Sequence, residues 1–162
     1  MKAAVITISD RASKGIYEDK SGPEIVSILK ESVPECEVET LIIPDEREEI
    51  LAAFRKFSDY DFIFTTGGTG IGPRDFTPEV TQDYCDKELP GISETIRAFS
   101  YKETQSAMLS RGYSGIKGNT IIVNFPGSVK AVRLCTKVVG PVMKHAVKMI
   151  KGEGHEHKQG KK

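Results

Sequence analysis

Tyr60-Asp61-Phe62-Ile63-Phe64-Thr65-Thr66, followed at once by Gly67-Gly68-Thr69-Gly70-Ile71-Gly72-Pro73-Arg74-Asp75, is the stretch that decides the fold. Its first part is a short apolar run rich in aromatic and β-branched residues, the pattern of a strand buried on both faces. Its second part holds four glycines within residues 67–72. Glycine permits positive φ and lets the backbone approach a ligand closely. A buried strand running into a glycine turn and then a helix is how an open parallel sheet presents a ligand site beyond a strand's carboxyl end.

The same alternation extends in both directions. Residues 3–8 read as a buried first strand, and residues 9–22 as a long polar loop. Gly22-Pro23 opens a helix carrying Ile25, Ile28, Leu29 and Val33. A second strand spans Glu37–Ile43 and is stopped by Pro44-Asp45. Asp45 with Glu48 has the form of a capping box for a helix bearing Ile50, Leu51, Phe54 and Phe57. After the glycine turn, Thr77 reads as the cap of a helix with Pro78 inside it. Leu89-Pro90-Gly91 breaks that helix, and Ile92, Ile96 and Phe99 mark the next. Residues 105–118 are ambiguous, with Met108 and Leu109 either pairing with the sheet or packing over it. Residues 119–124 form another strand. Pro126-Gly127-Ser128 turns into a final helical region reaching Ile150, which Gly140-Pro141 should divide or kink. The polar residues 152–162 read as a disordered tail. The expectation is an α/β domain over residues 1–151: a mostly parallel, mixed sheet with helices on both faces, in three layers.

Composition narrows the function. The 162 residues include 23 Lys and Arg against 23 Asp and Glu, so the formal net charge is zero. No general basic field exists to bind nucleic acid or an anionic membrane, and any phosphate site must be local. The apolar runs are too short for a membrane span or a signal peptide. Three widely spaced cysteines without a CxxC pair argue against a disulfide framework or a zinc site. A cytoplasmic protein is expected.

Four polar segments fall at strand ends: Ser9-Asp10-Arg11, Pro44-Asp45, the 67–75 loop, and residues 124–128 with Asn124, Pro126, Gly127 and Ser128. Their convergence predicts a single crevice. Successive loop amides of Gly67, Gly68, Thr69 and Gly70 can cradle phosphate oxygens, with the Thr66 and Thr69 hydroxyls as further donors. A tight structural turn is the plainer alternative. Asp45 and Asp75 can cap helices, or can hold Mg²⁺ through oxygen ligands. Arg11, Arg74 and Arg111 fit phosphate bidentately, or are solvated surface groups. No histidine lies in a strand-end loop, and no Gly-x-Ser-x-Gly elbow is present.

Taken in order, Ile8-Ser9-Asp10-Arg11-Ala12-Ser13, Ile43-Pro44-Asp45, Thr65 to Gly70 with Arg74-Asp75 and Thr77-Pro78-Glu79, Leu89-Pro90-Gly91, Leu109-Ser110-Arg111 and Asn124 with Pro126-Gly127-Ser128 make the chain recognisable. It resembles the molybdopterin-binding domain family of molybdenum cofactor biosynthesis, the MogA/MoaB group, with the opening Ile-Ser-Asp-Arg-Ala-Ser on the MogA side. The resemblance implies adenylyl transfer from ATP to molybdopterin with Mg²⁺, giving adenylyl-molybdopterin and pyrophosphate. Asp45 and Asp75 match the family's acidic pair. The Gly67 to Gly70 loop and Ser110 match its nucleotide- and pterin-binding regions. It further implies a homotrimer, with hexamers among relatives, and product hand-over to a metal-inserting enzyme. Ile71-Gly72-Pro73 and Ser128-Val129-Lys130 also occur in the MoaB relatives. A MoaB-like molybdopterin-binding role, or a non-catalytic scaffold role, is therefore the alternative.

Overall fold

The computed structural model describes residues 1–153. Strands β1 (Lys2–Ile8), β2 (Glu37–Ile43), β3 (Phe62–Thr66) and β6 (Thr120–Phe125) are parallel, and β5 (Ser114–Lys117) and β4 (Lys87–Glu88) complete the sheet in the order β2-β1-β3-β6-β5-β4. β5 runs antiparallel to β6, and β4 antiparallel to β5. Helices α2 (Ser21–Ser32), α3 (Arg47–Lys56), α4 (Thr77–Tyr84), α5 (Pro90–Glu103) and α6 (Val129–Ile150) cover the faces, and α1 is a single turn, Asp10–Ser13.

Alternation along the strands divides the core in two. Ala3 and Val5 of β1, with Phe62 and Phe64 of β3, meet Ile25 and Leu29 of α2, Ile96 of α5 and Cys135 and Val139 of α6. Ala4, Ile6 and Ile8 point the other way, to Ile50, Ala53 and Phe54 of α3 and Val80 of α4. The result is the expected three-layer sandwich. Each fully buried large side chain, Phe54 and Phe64 among them, contributes roughly 1.5–3 kcal/mol. Edge strand β2 shows why its residues alternate less cleanly. Among the described residues it pairs only with β1, and Glu39 on it accepts from the Tyr60 hydroxyl at 2.7 Å and pairs with Lys56 at 3.2 Å.

Several expectations are corrected. Asp45 does not cap α3, whose N-cap is Glu46 with no side-chain bond, because the Asp45 carboxylate accepts from the Asp10 N–H instead. Thr77 lies inside α4 rather than capping it; Phe76 is the N-cap, and the Thr77 N–H donates to the Gly68 carbonyl at 3.2 Å. The polar loop after β1 contains α1, capped by the Ser9 hydroxyl. Residues 105–118 resolve into a 3-10 turn, Gln105–Leu109, and then β5. Met108 and Leu109 are both exposed and do not belong to the sheet. Gly140-Pro141 does not divide α6, which runs continuously over 22 residues. An internal proline costs about 3 kcal/mol; the buried stripe Val132, Cys135, Thr136, Val139 and Met143 outweighs it. The expected tail lies outside the described residues from 154 onward. Among the described residues, no helix is long and apolar enough to cross a membrane.

Candidate functional site

In the sheet order, β1 connects outward to β2 on one side and is flanked by β3 on the other. The crevice at such a reversal, outside the strands' carboxyl ends, is where open α/β sheets take ligands. Here β1 ends at Ser9-Asp10, β2 at Pro44-Asp45 and β3 at Gly67.

Asp10 and Asp45 are joined reciprocally. The Asp10 N–H donates to Asp45 Oδ2 at 2.9 Å, and the Asp45 N–H donates to Asp10 Oδ1 at 3.0 Å. Arg74 closes the group. Its Nε donates to Asp10 Oδ2 at 2.7 Å, and its Nη2 reaches the Asp45 carbonyl and Glu46 Oε1, both at 2.9 Å. The two carboxyls are driven apart. The Arg74 hydrogen bond holds Asp10 below the usual carboxylate range, while burial pushes Asp45 up. Arg74 itself is held firmly in its charged form by Asp10 and Glu46. Its guanidinium is therefore engaged within the strand-end network.

The glycine loop is shaped by what surrounds it. Gly67 has φ +104°, and a Cβ there would lie 2.3 Å from the Ile8 carbonyl oxygen. Gly68 has φ +67°, and a Cβ there would meet the Thr77 hydroxyl at 2.2 Å and Asp45 Oδ1 at 3.3 Å. Asp75 folds back over the loop, accepting the Gly72 N–H on Oδ2 at 2.9 Å. The N–H groups of Gly68, Thr69, Gly70 and Ile71 find no acceptor among the described residues. Four consecutive amides without an acceptor, at a loop that opens on the positive-φ pair Gly67 and Gly68, are free to form a nest for an anion.

That loop forms one wall of a cleft of about 1000 Å³. Of the residues expected from sequence, Gly67, Gly68, Thr69, Gly70, Asp75, Ser110, Pro126, Gly127 and Ser128 line it. Ser9, Asp10, Asp45 and Arg74 belong to the adjoining strand-end network around β1 and β2, whereas the Arg11 guanidinium lies over the Tyr17 ring at 5.6 Å. Thr66 and Asn124 lie beneath. The Thr66 hydroxyl donates to the Pro126 carbonyl at 2.8 Å, bracing the loop against β6. Asn124 is buried, and its amide is fully engaged with the Thr65 and Thr81 hydroxyls and the Tyr113 N–H. It supports the wall rather than facing the cleft. Arg111 is likewise turned to the loop's carbonyls and to Glu79, not to the cleft. Ser128 caps α6, accepting the Ala131 N–H at 3.2 Å.

Sequence reasoning missed the far wall of the cleft. Arg133 and Lys137 of α6 line it, together with Arg97 of α5 and Lys130, which the sequence offers only as part of the family pattern and, for Lys130, as an anion clamp or a solvated surface group. The signal was present: residues 130, 133, 134 and 137 repeat at helical spacing on one face. Two of these cations are already paired, Arg133 with Glu24 at 2.6 Å and Lys130 with Glu103 at 3.5 Å, so the four basic side chains face a lining that also holds Asp75 and Glu103.

Whether the acids fit a divalent cation can be tested on their free oxygens. Asp45 Oδ1 and Asp75 Oδ1 accept no hydrogen bond among the described residues. Among the same residues no group of three or more His, Cys, Asp or Glu is gathered as a metal cage. Mg²⁺ commonly binds through one or two carboxylates completed by water and substrate phosphates, so the oxygen set suits it.

Comparison with known proteins agrees with this architecture. Residues 4–145 match the family described as a probable molybdopterin binding domain. A molybdopterin adenylyltransferase of Helicobacter pylori strain 26695 is 43% identical over 152 residues, covering 91% of this chain and 86% of that protein. The molybdenum cofactor synthesis protein cinnamon of Drosophila melanogaster is 44% identical over 149 residues, 90% of this chain, which spans only 25% of that longer protein. The solved structure of the molybdopterin biosynthesis enzyme MoaB from Thermus thermophilus matches with a TM-score of 0.85 at 37% identity, over 93% of this chain and 96% of that one. With its three layers, its mixed and mostly parallel sheet and its strand-end crevice, the chain belongs to the MogA/MoaB-like molybdopterin-binding family of molybdenum cofactor biosynthesis.

Proposed function

We propose that the chain is a molybdopterin adenylyltransferase, moving AMP from ATP to the terminal phosphate of molybdopterin and releasing pyrophosphate. The observation that carries this reading is the run of four amides at residues 68–71 without an acceptor among the described residues, set between Asp45 and Asp75. The activity named for the Helicobacter pylori relative supports it.

The chemistry is an exchange at phosphorus. An oxygen of the pterin phosphate bonds to the α-phosphorus of ATP as the bond from that phosphorus to the bridging oxygen breaks. The attacking phosphate is ionised near neutral pH, so no histidine base is required. The loop amides stabilise the charge gathering on the non-bridging oxygens, because they are already aimed and need no reorganisation. The basic wall of Lys130 and Lys137 attracts the anionic substrates into the cleft. Asp45 and Asp75 would hold Mg²⁺, which when bound neutralises charge on the leaving pyrophosphate. Assembly as a homotrimer, and hand-over of the product to a metal-inserting enzyme, belong to the same proposal.

The test is incubation with molybdopterin and MgATP labelled at the α-phosphate. Adenylylated pterin and stoichiometric pyrophosphate are expected. Binding of molybdopterin with neither product would place the chain among non-catalytic binders and defeat the proposal.

A further inference from the structure

Arg111 lies just before β5, at the end of the connection from α5. Its own N–H donates to the Thr69 carbonyl at 2.8 Å, its Nε donates to the Gly70 carbonyl at 2.8 Å, and its Nη2 donates to the Asp75 carbonyl. Its Nη1 pairs with Glu79 in the first turn of α4. One residue from a distant segment thus grips the glycine loop near both ends. It is held in turn by the helix into which the loop leads.

The peptide geometry makes this grip directional. No cis peptide occurs among the described residues, and in a trans peptide the C=O and N–H point to opposite sides. Drawing the carbonyls of Thr69, Gly70 and Asp75 toward Arg111 therefore turns the N–H groups of Gly70, Ile71 and Phe76 away from it. Two of these, on Gly70 and Ile71, belong to the unpaired amides of the nest. Glu79 is committed to the same arrangement. Its Oε2 is buried without a partner among the described residues. Burial pushes its carboxyl up, but the Arg111 hydrogen bond and charge bring the balance below the usual value.

We infer that Arg111, anchored by Glu79, is a positioning residue that sets the direction of the nest amides and the place of Asp75. This rests on the reading that the loop holds substrate phosphate. Lysine offers a point charge in place of the guanidinium fork, and cannot span two carbonyls and a carboxylate together. Arg111→Lys consequently separates positioning from charge.

The experiment compares the full-length chain with Arg111→Lys, Arg111→Met and Glu79→Gln. Two readouts are taken: the kcat and KM for ATP in adenylyl transfer, and amide hydrogen exchange at Gly72, whose N–H is held by Asp75. Both arginine variants should lose about 10- to 100-fold in kcat, with a smaller change in KM. Their Gly72 exchange should quicken about tenfold. Glu79→Gln should move both readouts in the same direction by less, and it serves as the folded variant if an arginine replacement does not fold. Wild-type kcat and wild-type exchange in Arg111→Lys would mean that charge alone matters, and would overturn the inference. If the unaltered chain transfers no adenylyl group, the proposed reaction fails separately. The exchange readout then still decides, with unchanged Gly72 protection in the variants refuting the positioning role.

Discussion

Replacing Gly67 by alanine tests the junction between β1 and the loop. Gly67 has φ +104°, a region that costs a residue with a Cβ roughly 1–3 kcal/mol. The new Cβ would also sit 2.3 Å from the Ile8 carbonyl oxygen. No rotamer relieves that contact, because the Ile8 carbonyl is main chain of a buried strand paired with β2 at Ile43 and with β3 up to Thr7. Carbon–oxygen contacts settle near 3.3 Å, so the loop must retreat by about 1 Å. The Gly67 N–H bond to the Phe125 carbonyl, now 3.2 Å, would then open, at about 1 kcal/mol. A total loss of about 2–4 kcal/mol follows. With a urea slope of about 2 kcal/mol per molar, the unfolding midpoint should fall by about 1–2 M. The control is Gly118→Ala, where φ is +57° but nothing lies within 4 Å of the added Cβ. It should show only the backbone penalty, about 1–2 kcal/mol. Adenylyl transfer should fall about 100-fold in Gly67→Ala, since the nest moves by about 1 Å, and stay near wild type in Gly118→Ala. Equal destabilisation of the two variants would refute the close contact with Ile8, and unaltered turnover in Gly67→Ala would refute its link to the nest.

Asn124→Ala should destabilise by about 3 kcal/mol in urea unfolding, because it removes three internal hydrogen bonds and leaves the Tyr113 N–H without its side-chain partner; a loss under about 1 kcal/mol would show the amide is not a brace. Asp45→Asn should raise stability at pH 7 while abolishing turnover. The Asp45 pKa is raised in the folded state, so stability falls as pH rises from its unfolded value, about 3.9, through the folded one. A destabilised Asp45→Asn at neutral pH would contradict that sign. Asp10 behaves oppositely: its lowered pKa contributes stability above about pH 4 that is lost as pH falls through the folded value, and Asp10→Asn should flatten that part of the acid-unfolding curve. Burial pushes Cys85 and Cys135 up to about 12 and raises Cys36 as well. Iodoacetamide at pH 8 should leave the folded chain largely unmodified and label all three thiols in urea; fast labelling of the native protein would show a thiolate the structure does not provide.

Where the sequence is legible, periodicity is the reason. β1, β3 and β6 are buried on both faces, so their apolar runs are unbroken, and α2, α3 and α6 carry apolar stripes set by packing. What escaped has weak local signals. β4 is two exposed residues, Lys87 and Glu88, and exists only because β5 lies beside it. α1 buries no residue, so no apolar face announces it. The sequence shows only the intrinsic effect of Pro141, which tertiary packing overrides. At the site, residue types and strand-end positions were readable, and nine of the expected residues do line the cleft. Partner choice was not. Arg74 meets Asp10 across 64 positions and Arg111 meets Asp75 across 36. Nothing local tells a guanidinium turned inward to brace a loop from one turned outward to a ligand.

The bracing of the glycine loop by β6 also has a consequence for biosynthesis. Thr66 at the end of β3 and Pro126, which holds it, are 60 residues apart. At about 5–20 residues per second, a ribosome needs roughly 3–12 s between them. During that interval the β3 edge that will pair with β6 is bare, and it presents Phe62-Ile63-Phe64, a sequence well suited to pairing with another nascent chain. The same strand that carries the loop is therefore open to mispairing in the newborn polypeptide, and the yield of soluble protein should depend on how quickly residues 120–125 arrive.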